Sequence, residues 1–208
     1  FVTTTLGWPY EPKGEGPDWE VLSARRDPEL VRGELPVGAL YITLAVDVQG
    51  DGLYWERIGW GPGKQSWLID YGYLSGETDV ALEGAWSKLD RIVENGTRFA
   101  GRRLADDLIG VDAGYNSEPV YEWVRRRPNA LALKGEDGWS KLPIFKAQTP
   151  DVKKRGRSAG KAKRFGIKVW LVGTWGIKGA LMVYLGREIA QGEAGAPTGY
   201  CRFPRDTE

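Results

Sequence analysis

An α/β fold with a mixed central sheet flanked by helices is what this sequence predicts, on three observations. Three strand-like segments between Ala39 and Leu74 follow one another with only short turns between them. A helix, strand, helix, strand succession comes next, and the strands of that second half are short apolar runs of the kind buried on both faces. Short turns require antiparallel pairing, so the first three strands form a meander, whereas a strand reached through a helix can return beside the first one in parallel.

The elements are read in order. Residues 1–38 are rich in Pro, Gly and charge (GWPYEPKGEGPDWE, RRDPEL, GELPVG) and sustain neither period, which predicts an extended linker or arm, with the folded domain over 39–208. ALYITLAVDVQ is the first strand, GDG the turn, LYWERIGW an alternating second strand, and KQSWLIDYGYL, after Gly61-Pro62-Gly63, the third. Thr78 is placed to cap a helix carrying Val80, Leu82, Ala85, Trp86, Leu89, Ile92 and Val93 and ending at Asn95-Gly96. DDLIGVDAG contains a buried strand, a helix spans about Ser117 to Arg127 before Pro128, and ALALKG and IKVWLVGT are further buried strands. A last helix runs from about Gly176 to Glu188, and 190–199 reads as loop.

The 208 residues, 41% of them apolar, suffice for one core, and no stretch approaches the roughly 18 apolar residues of a membrane span. The opening FVTTTLGWPY has no signal-peptide pattern, so a soluble intracellular protein with no membrane partner is expected. A lone Cys201 excludes an internal disulfide framework, and the absence of His leaves no ready zinc site or His-based triad. A metal here would be held by oxygen, which suits Mg²⁺ or Mn²⁺. No GxGxxG or GxxxxGK[ST] motif supports nucleotide binding. The net charge of +1 conceals a basic segment: Lys153, Lys154, Arg155, Arg157, Lys161, Lys163 and Arg164 share 153–164 with Gly, Ser and Ala and no acid. It reads as a flexible loop, either a solvated turn or a contact for DNA phosphates. Most of the ten Trp and nine Tyr are expected at core or capping positions.

Asp47 interrupts the apolar run Leu44-Ala45-Val46, and Asp112 follows Leu108, Ile109 and Val111 in its own strand. A buried carboxylate needs a partner. If the two strands are neighbours, both carboxylates face one point, and a divalent cation between them would relieve their repulsion. The alternative is that each merely ends a strand and hydrogen-bonds the following turn.

The segments LAVDVQGDGLYWERIGWG, QSWLIDYGYLSGETD, IGVDAGYNSEPVYEWVR, ALKG and KVWLVGTWGIKGAL together resemble the nuclease domain of the large terminase subunit of tailed bacteriophages, in its lambda-like gpA family. VTTTLGWPYEP resembles the segment joining that family's ATPase motor to its nuclease. The resemblance implies an RNase H-like fold, with 39–208 as the nuclease domain, and two-metal endonucleolytic cleavage of concatemeric viral DNA during packaging. It maps the motif aspartates onto Asp47 and Asp112. It further implies double-stranded DNA, an ATPase motor in the same polypeptide, the small terminase subunit and the portal as partners, in the cytoplasm of the infected bacterial host.

Nucleases of that fold complete the site with a third acid from a late helix, which in the terminase family lies downstream of a motif like Phe203-Pro204. Either that ligand lies outside these residues, or Asp206 or another carboxylate stands in for it. Lys134, at the end of its strand, and Lys178, which matches a lysine of the family pattern, are candidate phosphate contacts or surface lysines. Glu136 and Asp137 are turn residues with a lesser claim as metal ligands. Two function classes therefore stand: a metal-dependent endonuclease, and a non-catalytic DNA-binding or assembly module of the same fold.

Overall fold

The computed structural model describes residues 19–23, 25–149, 151–153, 162–164, 166–189 and 195–206. Its strands are β1 (Arg26–Asp27), β2 (Tyr41–Val48), β3 (Gly52–Trp60), β4 (Ser66–Ser75), β5 (Thr97–Phe99), β6 (Arg102–Leu104), β7 (Leu108–Asp112), β8 (Ala130–Glu136), β9 (Lys146–Gln148), β10 (Asp151–Lys153), β11 (Ala162–Arg164), β12 (Val169–Gly173) and β13 (Cys201–Pro204). The helices are α1 (Trp19–Ser23), α2 (Gly84–Asn95), α3 (Ser117–Val124) and α4 (Thr174–Leu185).

Nine strands form one mixed sheet in the order β1-β13-β4-β3-β2-β7-β8-β12-β9. The predicted meander is β2-β3-β4, antiparallel throughout, and β2 pairs in parallel with β7, β7 with β8 and β8 with β12. These parallel strands all end at one edge of the sheet, the edge at which α/β folds collect functional groups. Among the described residues, no helix is long and apolar enough to cross a membrane.

Alternation decides which side chains meet the core. In β2, Ile42, Leu44, Val46 and Val48 are buried, while Tyr41, Ala45 and Asp47 point to the other face and are exposed. Leu44, Val46 and Val48 join Leu53 and Trp55 of β3, Ile109 and Val111 of β7, and Ala130 and Ala132 of β8. Over them lie Ala85, Trp86 and Leu89 of α2 and Val120, Tyr121, Trp123 and Val124 of α3. Trp86 and Trp123 meet with ring centroids 5.9 Å apart, and Asp90 of α2 accepts the Trp123 indole N–H at 2.8 Å. The opposite face is more sparingly covered: α4 has no buried residue, and a cavity of about 600 Å³ separates Ile177, Leu181 and Tyr184 from Ile58 and Leu68 of the sheet.

Several expectations are corrected. The helix expected from Thr78 begins at Gly84, because Leu82 and Gly84 adopt positive φ (73° and 52°) and break any earlier helix. Thr78 is instead buried, donating its hydroxyl to the Gln49 carbonyl at 2.7 Å and accepting the Trp86 indole N–H at 3.0 Å on its own carbonyl. The middle helix ends at Val124 rather than Arg127, and the last runs Thr174–Leu185, not 176–188. The basic loop is bounded by the β10–β11 hairpin, in which Asp151, Val152 and Lys153 pair with Arg164, Lys163 and Ala162. Antiparallel pairing satisfies those backbone groups without needing apolar side chains. The described part of the N-terminal arm reaches the sheet, where β1 pairs with β13 and Leu30 is buried.

Candidate active site

Register brings the two aspartates together. Val46 pairs with Val111 in the parallel β2–β7 ladder, so the next residue on each strand, Asp47 and Asp112, falls side by side on the face away from the core. Adjacent strands lie about 4.8 Å apart. Asp47 is exposed and Asp112 half-buried, so the desolvation argument made for both from sequence applies to Asp112 alone. Burial pushes the Asp112 carboxyl above its ordinary value; the Gly114 amide draws it down, and the Asp47 charge pushes it up. Asp112 Oδ1 accepts the Gly114 N–H at 3.1 Å, the turn contact open to a strand-ending aspartate.

Asp47 Oδ2 accepts a hydrogen bond from the Gln49 side chain at 2.7 Å, and Asp47 Oδ1 has no hydrogen-bond donor among the described residues. Gln49 is itself fixed, since its carbonyl accepts the buried Thr78 hydroxyl. Sequence reasoning passed over Gln49, although Asp-x-Gln spacing puts both side chains on one face of a strand.

Asp47 and Asp112 line a cavity of about 720 Å³ with Ala45, Gly110, Gly72, Glu56 and three tyrosines, Tyr54, Tyr71 and Tyr73. Ala45 and Gly110 are paired two residues before the aspartates, on the same face, and their small size leaves the space beneath the carboxylates open. A Cβ at Gly110 would fall 2.8 Å from the end of the Leu133 side chain, so a larger residue there requires that side chain to shift. Glu56, paired with Ala45, is a second residue that sequence reasoning missed; it keeps exposed surface, yet desolvation by its surroundings pushes its carboxyl above the ordinary value.

The pair fits a hard divalent cation in one respect and is incomplete in another. Among the described residues neither aspartate has a Lys or Arg partner within 4.0 Å, so two neighbouring carboxylates stand uncompensated. Such oxygen donors are what Mg²⁺ and Mn²⁺ prefer. No group of three or more Asp, Glu, Cys or His suited to a metal occurs among the described residues.

Asp206 is not brought to the pair. It follows β13, which β4 and β3 separate from β2, three strand spacings or about 14 Å away, and its carboxylate bonds Arg205. Glu136 pairs with Lys141 at 3.2 Å, and Asp137 accepts hydrogen bonds from Thr174 and Trp175 at 3.1 Å, so one serves the loop after β8 and the other ties that loop to the start of α4. Lys134 is exposed and follows Leu133, the register partner of Asp112; Lys178 is exposed in α4. The backbones of Lys153, Lys163 and Arg164 lie in the β10–β11 hairpin, whereas Lys154, Arg155, Arg157 and Lys161 lie outside the described residues.

A mixed-sheet α/β domain with an uncompensated carboxylate pair at the carboxyl edge of its parallel strands is thus the class that fold and site define. Over residues 1–208 the chain matches the family described as terminase large subunit gpA, endonuclease domain, and it belongs to that family. It is 35% identical to the large terminase subunit of Escherichia phage lambda over 119 residues, covering 54% of this chain and 18% of that one. With the large terminase subunit of Enterobacteria phage P21 the identity is 29% over 159 residues, covering 72% of this chain and 23% of the relative. The chain therefore spans less than a quarter of the length of these relatives. No solved structure matches it.

Proposed function

We propose that this domain is a divalent-metal-dependent endonuclease with an RNase H-like fold that hydrolyses phosphodiester bonds of duplex DNA, cutting concatemeric viral DNA during genome packaging. The observation that carries this reading is that Asp47 and Asp112 each follow the last paired residues of the β2–β7 ladder, Val46 and Val111, and have no Lys or Arg partner within 4.0 Å among the described residues. Family membership supports it.

In this reading Asp47 and Asp112 hold Mg²⁺ or Mn²⁺, in a site that accepts two ions. A bound divalent ion polarises a phosphoryl oxygen and lowers the pKa of its water. Gln49 fixes one Asp47 oxygen and leaves the other without a hydrogen-bond donor among the described residues, so that it would be available to a bound ion, while the Gly114 amide holds Asp112. Lys134, Lys178 and the basic segment with Lys153, Lys154, Arg155, Arg157, Lys161, Lys163 and Arg164 neutralise backbone phosphates without reading sequence. The partners are double-stranded DNA, an ATPase motor in the same polypeptide, the small terminase subunit and the portal, in the cytoplasm of the infected bacterium.

The test is plasmid cleavage in Mn²⁺ or Mg²⁺. The parent chain nicks or linearises the plasmid, and Asp47→Asn and Asp112→Asn, shown folded by circular dichroism, do not. Equal cleavage by either variant refutes the assignment. A second reading, a non-catalytic DNA-binding or assembly module, is favoured by one observation, that no three Asp, Glu, Cys or His side chains cluster as a metal site among the described residues. DNA retention without cleavage under any metal would select it.

A further inference from the structure

Beside the carboxylates stands a feature that hydrolysis does not use. Tyr54 is the direct cross-strand partner of Asp47, and Tyr73 is in turn the partner of Tyr54, so the three side chains form a row on one face of the sheet. The tyrosine rings lie 4.6 Å apart between centroids, tilted by 40°, yet the residues remain 54% and 40% exposed. An aromatic pair formed only to bury itself would not leave that much surface in water. Tyr73 is held in place: its hydroxyl donates to the Asp51 carbonyl at 2.9 Å, and its ring lies so close to Gly52 that a Cβ there would fall 2.6 Å from the ring carbons. Both tyrosines wall the same cavity as Asp47 and Asp112, and that cavity of about 720 Å³ has room for a nucleobase.

We propose that Tyr54 and Tyr73 form a stacking platform for an unpaired nucleobase of the DNA strand lying at Asp47 and Asp112, so that the domain favours DNA frayed or opened at the cut. Every base has a π-face, so such a platform acts without sequence preference. A paired base within a duplex cannot present that face. The proposal rests on the endonuclease reading for the identity of the strand but not for the stacking itself.

The test uses the 208-residue chain and a single-stranded 12-mer with a central 2-aminopurine, alongside the matching duplex, in Ca²⁺. Binding of the single strand quenches the 2-aminopurine fluorescence. Tyr54→Leu and Tyr73→Leu each weaken single-strand affinity by about 5- to 150-fold, the range of one lost base–aromatic stack, and relieve the quench. Duplex affinity stays within about twofold, and Tyr54→Phe and Tyr73→Phe keep the quench because the ring is retained. Parent-like affinity and quench in both Leu variants, or no quench in the parent, overturns the proposal. If a Leu variant fails to fold, Tyr54→Trp decides, with binding and quench preserved on this account and their loss counting against it. Plasmid cleavage in Mn²⁺, run in parallel, separates the two readings. Quench without cleavage in the parent refutes the endonuclease and leaves the platform, whereas cleavage with an unchanged quench in the Leu variants refutes the platform alone.

Discussion

Replacing Arg57 with Met should be among the most destabilising single changes in this domain. Arg57 lies on the core side of β3, and its side chain is 3% exposed, opposite an Asp106 side chain that is fully buried. Its guanidinium donates to both Asp106 oxygens, at 2.6 and 2.9 Å, and to the carbonyls of Ile92 and Gly96 at 3.0 and 3.2 Å. One side chain thus ties the meander to the C-terminus of α2 and to the segment leading into β7. Removing it leaves an uncompensated buried carboxylate and two carbonyls without their donor, a loss of about 3–5 kcal/mol. For a domain of this size that corresponds to roughly 6–20 °C in Tm, at about 2–4 °C per kcal/mol. The double variant Arg57→Met/Asp106→Leu removes both charges and should recover most of the loss, because a buried ion pair and a packed apolar pair are close in energy. Urea and thermal unfolding followed by circular dichroism measure all three proteins. A single-variant loss below about 1 kcal/mol, or a double variant no better than the single, refutes the reasoning.

Two further outcomes are expected. Gln49→Leu should leave the fold intact but raise the Mn²⁺ concentration for half-maximal plasmid cleavage by about 10- to 100-fold, the usual effect of losing a group that orients a metal ligand; an unchanged metal requirement removes Gln49 from the site. Glu56 carries a carboxyl raised by desolvation, so the stability it contributes is present below the ordinary glutamate range and is lost as pH rises through its elevated value. Glu56→Gln should therefore be more stable than the parent at pH 8 and not at pH 4, by urea denaturation at both; a difference independent of pH contradicts this.

How much of this was legible in the sequence follows from the range of each interaction. The meander and the β2–β7 pairing could be read because alternation in ITLAVDV and the apolar run LIGV are local patterns, and the two aspartates stood out against them. The Arg57–Asp106 pair could not, since its partners lie 49 residues apart and each looks like an ordinary surface charge. Asp106 and Asp107 read as the start of a strand, whereas one binds Arg57 and the other accepts the Ile42 N–H at 2.7 Å. β1, β9 and β13 are two to four residues long, too short to show a period, and β1 and β9 lie at the edges of the sheet. The late start of α2 was hidden because Leu82 fits a helical spacing in sequence while its backbone is left-handed. Sequence also overstated the burial of Asp47: the apolar residues around it face the core, but it faces the opposite side.

The most direct measurement of the central claim is the position of metal in crystals of this domain soaked in Mn²⁺. Anomalous difference density between Asp47 and Asp112, lost in Asp47→Asn crystals, is the predicted result. Density at other carboxylates, with none between these two, would contradict it.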